Sequence, residues 1–209
     1  MLLAIDTSAG TSVAVVDRDL GVLAEFSEDD TRRHAEVIGD LIAAALRESG
    51  VAIADLSGVA VGMGPGPFTG LRVGIAAARA FAFGAGKPVV RVVSHDAIAF
   101  GTTEPLLVVT DARRREVYWS AYSGSDAEGL PVRVAGPGLT RPHELADELA
   151  GAVADFAGYR RLDAVTVSAS SIGMLAEGLY LHKRSFAGPD AIYLRAPDIT
   201  MSSGPKRVS

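Results

Sequence analysis

The sequence predicts an α/β protein in which helices cover a mixed sheet, and three observations carry that prediction. Apolar runs alternate with helical spacings in the order βββαβα(β), followed by a shorter, similar half. The loop Gly62-Met63-Gly64-Pro65-Gly66-Pro67 joins the buried run Val59-Ala60-Val61 to a segment with helical periodicity. The second half also opens as the first does, with Leu106-Leu107-Val108-Val109-Thr110-Asp111 echoing Leu2-Leu3-Ala4-Ile5-Asp6. Strand, Asp, polar turn and returning strand occur in both places, which suggests an internal duplication.

Taken in order, Leu2 to Thr7 reads as a buried strand, Gly10-Thr11 turns it, and Ser12 to Asp17 returns; Gly21 to Phe26 completes a meander. Thr31 is the expected cap of a helix from about Arg32 to Ser49, with Gly50 at its C-terminal end. Its core stripe is Val37, Ile38, Leu41, Ile42, Ala45 and Leu46, and Ala35, Gly39 and Ala43 line up beside it at i, i+4 spacing. After the Gly-Pro loop, Thr69 is the expected N-cap of the next helix. That helix is apolar nearly all round, so most of its sides need cover. Gly70, Gly74 and Ala78 form a second line of small residues along it, and Gly74 costs about 1 kcal/mol against Ala in a helix interior. Val89 to Val93 is a strand, Ser94 to Phe100 a short helix, and Gly101 to Pro105 the linker. In the second half Glu116 to Tyr122, Pro131 to Ala135 and Asp163 to Ser168 read as strands. Glu144 to Ala150 reads as a helix, and Ile172 to Leu181 as another capped by Ser170 or Ser171.

The helix after the Gly-Pro loop has three readings. It is a core helix, or it is shared between the core and a partner subunit, or its N-terminus cradles a phosphate, against which the spacing is neither GxGxxG nor GxxxxGK[ST]. The second reading nominates Ala35, Gly39, Gly70, Leu71, Arg72, Gly74, Ile75, Ala78 and Arg79 as a partner interface, since lines of small residues let backbones approach closely.

Composition narrows the chemistry. The 209 residues are 48% hydrophobic and 22% charged, enough for a sizeable core. No cysteine is present, so disulfides and thiolate metal sites are excluded. His34, His95, His143 and His182 are far apart, with no HxxxH or HExxH pair, which argues against a metal site. No GxSxG elbow marks a nucleophile and no GxxxxGK[ST] loop marks a phosphate cradle. His34 is expected to be solvated or capping, and the adjacent His95 and Asp96 point apart on a helix. The net charge of −5 argues against stand-alone RNA binding. Arg113, Arg114 and Arg115 fall in a hairpin turn, first as solvated charge and second as salt-bridge partners. The apolar start is too short for a signal peptide and no run is long enough to span a membrane, so a cytoplasmic location is expected.

The run Gly64-Pro65-Gly66-Pro67-Phe68-Thr69-Gly70-Leu71-Arg72-Val73-Gly74 resembles the GPGSFTGLRIG signature of the bacterial TsaB (YeaZ) family, with Pro67 standing where that family has Ser. Asp111-Ala112-Arg113 with Glu116-Val117-Tyr118, and the late Tyr193-Leu194-Arg195, resemble two further motifs of the same family. The resemblance implies an actin-like (ASKHA) fold of two RNase H-like domains: residues 1–103, a smaller domain 104–200, and a tail 201–209. It implies a non-catalytic subunit of the machinery that places threonylcarbamoyl on adenosine 37 of certain tRNAs. The partners implied are the transferase TsaD, bound through helices of the first domain, and the ATPase TsaE, with tRNA met only through the complex; the apolar helix face itself allows a homodimer when the chain is alone. It implies no cofactor in this chain, with ATP and metal on TsaD and TsaE. In actin-like ATPases an acidic residue at the place of Asp6 serves the nucleotide's metal, which leaves a nucleotide-dependent small-molecule kinase or acyltransferase as the alternative function; a third is a homodimeric scaffold, in which the apolar helix face pairs with its own copy. The plainer reading of Asp6 is a turn that satisfies its own backbone.

Overall fold

The computed structural model describes residues 1–153 and 155–195. The expected tail, 201–209, and the last residues of the expected smaller domain, 196–200, lie outside the described residues.

The first sheet consists of β1 (Leu2–Asp6), β2 (Thr11–Asp17), β3 (Gly21–Glu28), β4 (Gly58–Gly62) and β5 (Val89–Val92), in the order β3-β2-β1-β4-β5. β1 is antiparallel to β2 and parallel to β4. β1 reads as an unbroken apolar run because both of its faces are covered. Leu3, Ile5, Val13, Val15, Val59 and Val61 face α1 (His34–Ser49) and α2 (Phe68–Ala85). Alternate residues, including Leu2, Ala4, Ala14, Val16 and Ala60, face α5 (Ala169–Leu181), as the period of two requires. Gly173 of α5 lies against Val16 and Ala4, where a side chain would hold the helix off the sheet.

The second sheet, β6 (Leu106–Asp111), β7 (Val117–Ser125), β8 (Pro131–Thr140) and β9 (Arg160–Ala164), has the order β8-β7-β6-β9. It repeats the order and directions of β3-β2-β1-β4 and, among the described residues, has no counterpart of β5. The duplication suggested by the two short echoes is thus a repeat of topology, and the second copy is the abbreviated one. α4 (Leu145–Ala152) covers this sheet through Leu145 and Leu149, and the Trp119 indole N–H donates to Glu148 at 2.8 Å. α3 (Ser94–Ala99), which ends the first half, packs on β6, β7 and β8, while α5 from the second half packs on β1 and β2. The two halves are interlocked by this exchange of helices.

Several local expectations are corrected. α1 begins at His34 after Arg33, with no side-chain cap, and Thr31 is not its cap. α2 begins at Phe68 after the extended Pro67, one position before the expected Thr69 cap. The strand expected over Asp163 to Ser168 lies earlier, at Arg160–Ala164, as a largely exposed edge strand lacking an apolar run. Ser168, not Ser170 or Ser171, caps α5 by accepting from the Ser171 N–H at 3.2 Å. Gly50 closes α1 in the left-handed conformation, as expected.

Candidate functional site

The small residues of α2 serve the chain's own core. The Thr7 hydroxyl donates to the Gly70 carbonyl at 2.7 Å and accepts from the Gly74 N–H at 3.1 Å. It inserts where those two groups, one turn apart, would otherwise meet only each other. A side chain on Gly74 would collide with Thr7, and one on Gly70 would meet the Thr7 carbonyl and the His34 ring. The cost of Gly74 in the helix is offset by this bond. Leu71, Ile75 and Ala78 are buried in the cluster with β1 and β4. Gly70, Leu71, Gly74, Ile75 and Ala78 therefore offer no surface to a partner, which corrects the interface expected from sequence: close approach is used by β1's end, inside the molecule.

The remaining nominees point outward. Arg72 and Arg79 are exposed on α2, and Ala35 and Gly39 on α1, with open space beside Gly39. Ala43 continues the α1 line, and Ala76, Ala80 and Phe83 extend the outward side of α2. Phe83 is 90% exposed, more than any other large apolar side chain described. α1 and α2 lie side by side on one face of the first sheet, and their exposed residues include these small and apolar groups beside the charged Glu36, Asp40, Arg47 and Glu48.

The Asp6 turn is closed. Asp6 is 1% exposed. Its Oδ1 accepts from the Ser8 N–H at 2.7 Å and the Ser8 hydroxyl at 2.6 Å, and its Oδ2 accepts from the Ser94 hydroxyl at 2.6 Å. Burial raises its pKa, and those hydrogen bonds oppose the rise. Gly66 of the Gly-Pro loop packs directly on Ser8. The plainer reading of Asp6 holds, with Ser94 as a partner that only the fold reveals.

The four histidines divide. His34 is buried and its Nδ1 pairs with the Thr11 hydroxyl at 2.7 Å, so it is neither solvated nor capping; the chain returns over it through the first turn of α2. His95 is fully buried between the Ser120 and Thr110 hydroxyls at 2.8 and 2.9 Å. Burial, with Arg133 nearby, pulls its pKa down to about 3. Asp96 instead accepts from the Tyr122 hydroxyl at 2.7 Å, so the two neighbours point apart, as expected. His143 and His182 are exposed. Among the described residues no three His, Asp or Glu side chains gather as a metal site, and no helix is long and apolar enough to cross a membrane.

A cleft of about 720 Å3 opens between the halves. Its walls are the approach to α1 (Thr31, Arg32, His34), the start of α2 (Phe68, Thr69), the β6–β7 hairpin (Arg113, Arg114) and the returning chain (Tyr193, Arg195). The sequence singles out Thr31 and Thr69 as caps, His34 as solvated or capping, and Phe68, Arg113, Tyr193 and Arg195 within family motifs; that they line one cleft shows only in the fold, because they come from four distant segments.

A family model described as TsaD, tRNA N6-adenosine threonylcarbamoyltransferase, matches residues 21–193. An uncharacterized protein of Mycobacterium tuberculosis is 41% identical over 203 residues, covering 94% of this chain and 92% of the relative. The tRNA threonylcarbamoyladenosine biosynthesis protein TsaB of Escherichia coli is 33% identical over 158 residues, covering 72% of this chain and 68% of that protein. Among solved structures, YeaZ from Pseudomonas aeruginosa superposes with a TM-score of 0.70 at 26% identity, covering 87% of this chain and 92% of that one.

Proposed function

The chain belongs to the TsaB (YeaZ) family of tRNA threonylcarbamoyladenosine biosynthesis proteins, whose actin-like fold it has, and from that premise we propose that it is a non-catalytic subunit that binds TsaD and helps to recruit TsaE. The observation that carries this reading is the outward layer of α1 and α2: Gly39, Ala43, Ala76, Ala80 and Phe83, with Arg72 and Arg79 at its side. Small residues over two adjacent helices let a second helix pair approach to backbone distance, and burial of Phe83 supplies about 1.5–3 kcal/mol. The family model that matches 21–193 is the transferase's own, so a transferase carries the counterpart of this helix pair. Pairing two such pairs gives a compact four-helix contact. The threonylcarbamoyl chemistry, with its ATP and metal, then belongs to TsaD and TsaE.

The alternative of a kinase or acyltransferase rested on Asp6, and that carboxylate is spent on Ser8 and Ser94.

Reconstitution tests the proposal. TsaD, TsaE, the enzyme that makes threonylcarbamoyl-adenylate and a substrate tRNA are combined with and without this chain, and modified adenosine is measured. Modification is expected to depend on the chain, and the chain with adenylate and tRNA alone is expected to give none. Modification by the chain alone, or full modification without it, overturns the proposal.

A further inference from the structure

A second cavity, of about 170 Å3, lies where the exchanged helices α3 and α5 meet the end of β5 and the start of β8. It shares no lining residue with the cleft between the halves.

Its polar wall is an ion pair that is incompletely bonded. Arg133 Nη1 on β8 stands 3.6 Å from Asp96 Oδ1 on α3, too far for a hydrogen bond. That nitrogen is buried and, among the described residues, has no hydrogen-bond partner. Asp96 Oδ1 takes the Tyr122 hydroxyl at 2.7 Å, and Oδ2 accepts from no described residue. A donor and an acceptor of opposite charge are thus both left over beside one cavity. A buried donor without a partner is costly, which calls for a ligand group at Arg133. Burial raises the Asp96 pKa, against the influence of Arg133 and Tyr122, so a second cation beside it would hold it ionised.

The remaining walls are apolar. Val92, Leu130 and Leu175 are almost fully buried, and Leu179 and Phe186 complete that side of the lining.

Together these walls are selective. A simple anion at Arg133 meets the charge of Asp96, and a simple cation at Asp96 meets that of Arg133, so neither gains much. Water bonds to both groups but leaves the apolar surface wet. A molecule with both charges and a short aliphatic group satisfies all three walls. An ammonium and a carboxylate on one carbon are close enough together to meet two protein groups 3.6 Å apart. An apolar cavity of about 150 Å3 holds benzene, so this one suits a side chain of a few carbons.

We propose that this cavity binds a free α-amino acid with a short aliphatic side chain, its carboxylate at Arg133, its ammonium at Asp96 and its side chain against Leu175 and Leu179. The site belongs to the chain by itself and is separate from its binding to TsaD.

Calorimetric titration of the purified chain with L-valine, glycine, N-acetyl-L-valine and isobutylamine tests it. L-Valine is expected to bind saturably. The other three lack the side chain, the ammonium or the carboxylate, and each is expected to bind about tenfold more weakly or worse. Arg133→Gln and Asp96→Asn are each expected to weaken L-valine binding about tenfold or more. Leu179→Phe narrows the cavity and leaves both charges in place, so it is expected to block binding in a folded chain even if a charge variant does not fold. No saturable binding of L-valine overturns the proposal. So does equal binding of any of the other three probes, or unchanged binding by folded Leu179→Phe or Arg133→Gln.

Discussion

Two hairpins stand at equivalent places in the two halves, and they have gone opposite ways. The first follows β1 at Asp6 and the second follows β6 at Asp111. Asp6 is buried, with both oxygens occupied by Ser8 and Ser94, and the adjoining Thr7 hydroxyl is inserted into the backbone of α2. Asp111 is exposed and, among the described residues, accepts only the Arg113 N–H, at 3.0 Å, while its hairpin projects arginines into the cleft. One duplicated element has become a structural lock and its copy a charged, accessible wall. The same strand-Asp-turn pattern therefore carries no fixed function. What decides is whether the opposing segment, here the Gly-Pro loop, closes over it.

The comparison can be broken most forcefully at Gly74. Gly74→Leu places a side chain on Thr7 and parts α2 from β1, which overpacking costs put at about 3 kcal/mol. For a chain of this size that lowers Tm by roughly 5–10 °C, read by calorimetry. An unchanged Tm would mean that the helix is not locked by Thr7.

Asp6→Ala is the next largest effect. It strands the Ser8 and Ser94 donors in the core and is expected to cost about 2–3 kcal/mol by urea unfolding, whereas Asp111→Ala costs about 0.5 kcal/mol or less. Equal losses at the two positions would erase the contrast between lock and wall.

The pH dependence sharpens the same point in the packing between the halves. The His95 pKa is lowered on folding, so the unfolded chain binds the extra proton as pH falls below about 6.5. Its contribution to stability is complete above that pH and declines by about 1.4 kcal/mol per pH unit toward the folded value of about 3. His34, lowered in the same direction, adds to the slope, and Asp6, raised on folding, opposes it as pH falls. The difference in slope between the wild type and His95→Gln isolates His95, and identical slopes would contradict its buried, neutral state. Thr7→Val is the mildest change within the lock, since Gly70 and Gly74 remain able to bond to each other; about 1 kcal/mol is expected.

Much of this was legible in the sequence. Alternating apolar runs and the Leu106 to Asp111 echo predicted the class and the repeat, because both rest on local periodicity that burial enforces. The turn at Asp6 was legible because Ser8 is two residues away. Ser94 and Thr7's insertion were not, since both depend on chain segments more than 60 residues apart meeting. For the same reason the small residues of α2 pointed to the wrong neighbour: spacing shows that something approaches closely, and cannot say whether it is a partner or β1. Ala35 and Gly39 were read correctly as a line, and the fold leaves that line exposed. The cleft was illegible because its arginines and aromatics come together only when the halves interlock.

The central claim is that the outward sides of α1 and α2 exist to be covered by TsaD. The most direct measurement is the affinity of purified TsaD for this chain and for a Gly39→Glu, Ala80→Glu double variant, with unfolding followed on the same samples. Both substitutions sit on exposed positions, so Tm is expected to stay within about 2 °C while two buried charges weaken binding by a hundredfold or more. An affinity for TsaD equal to the wild type's, in a folded variant, would contradict the account.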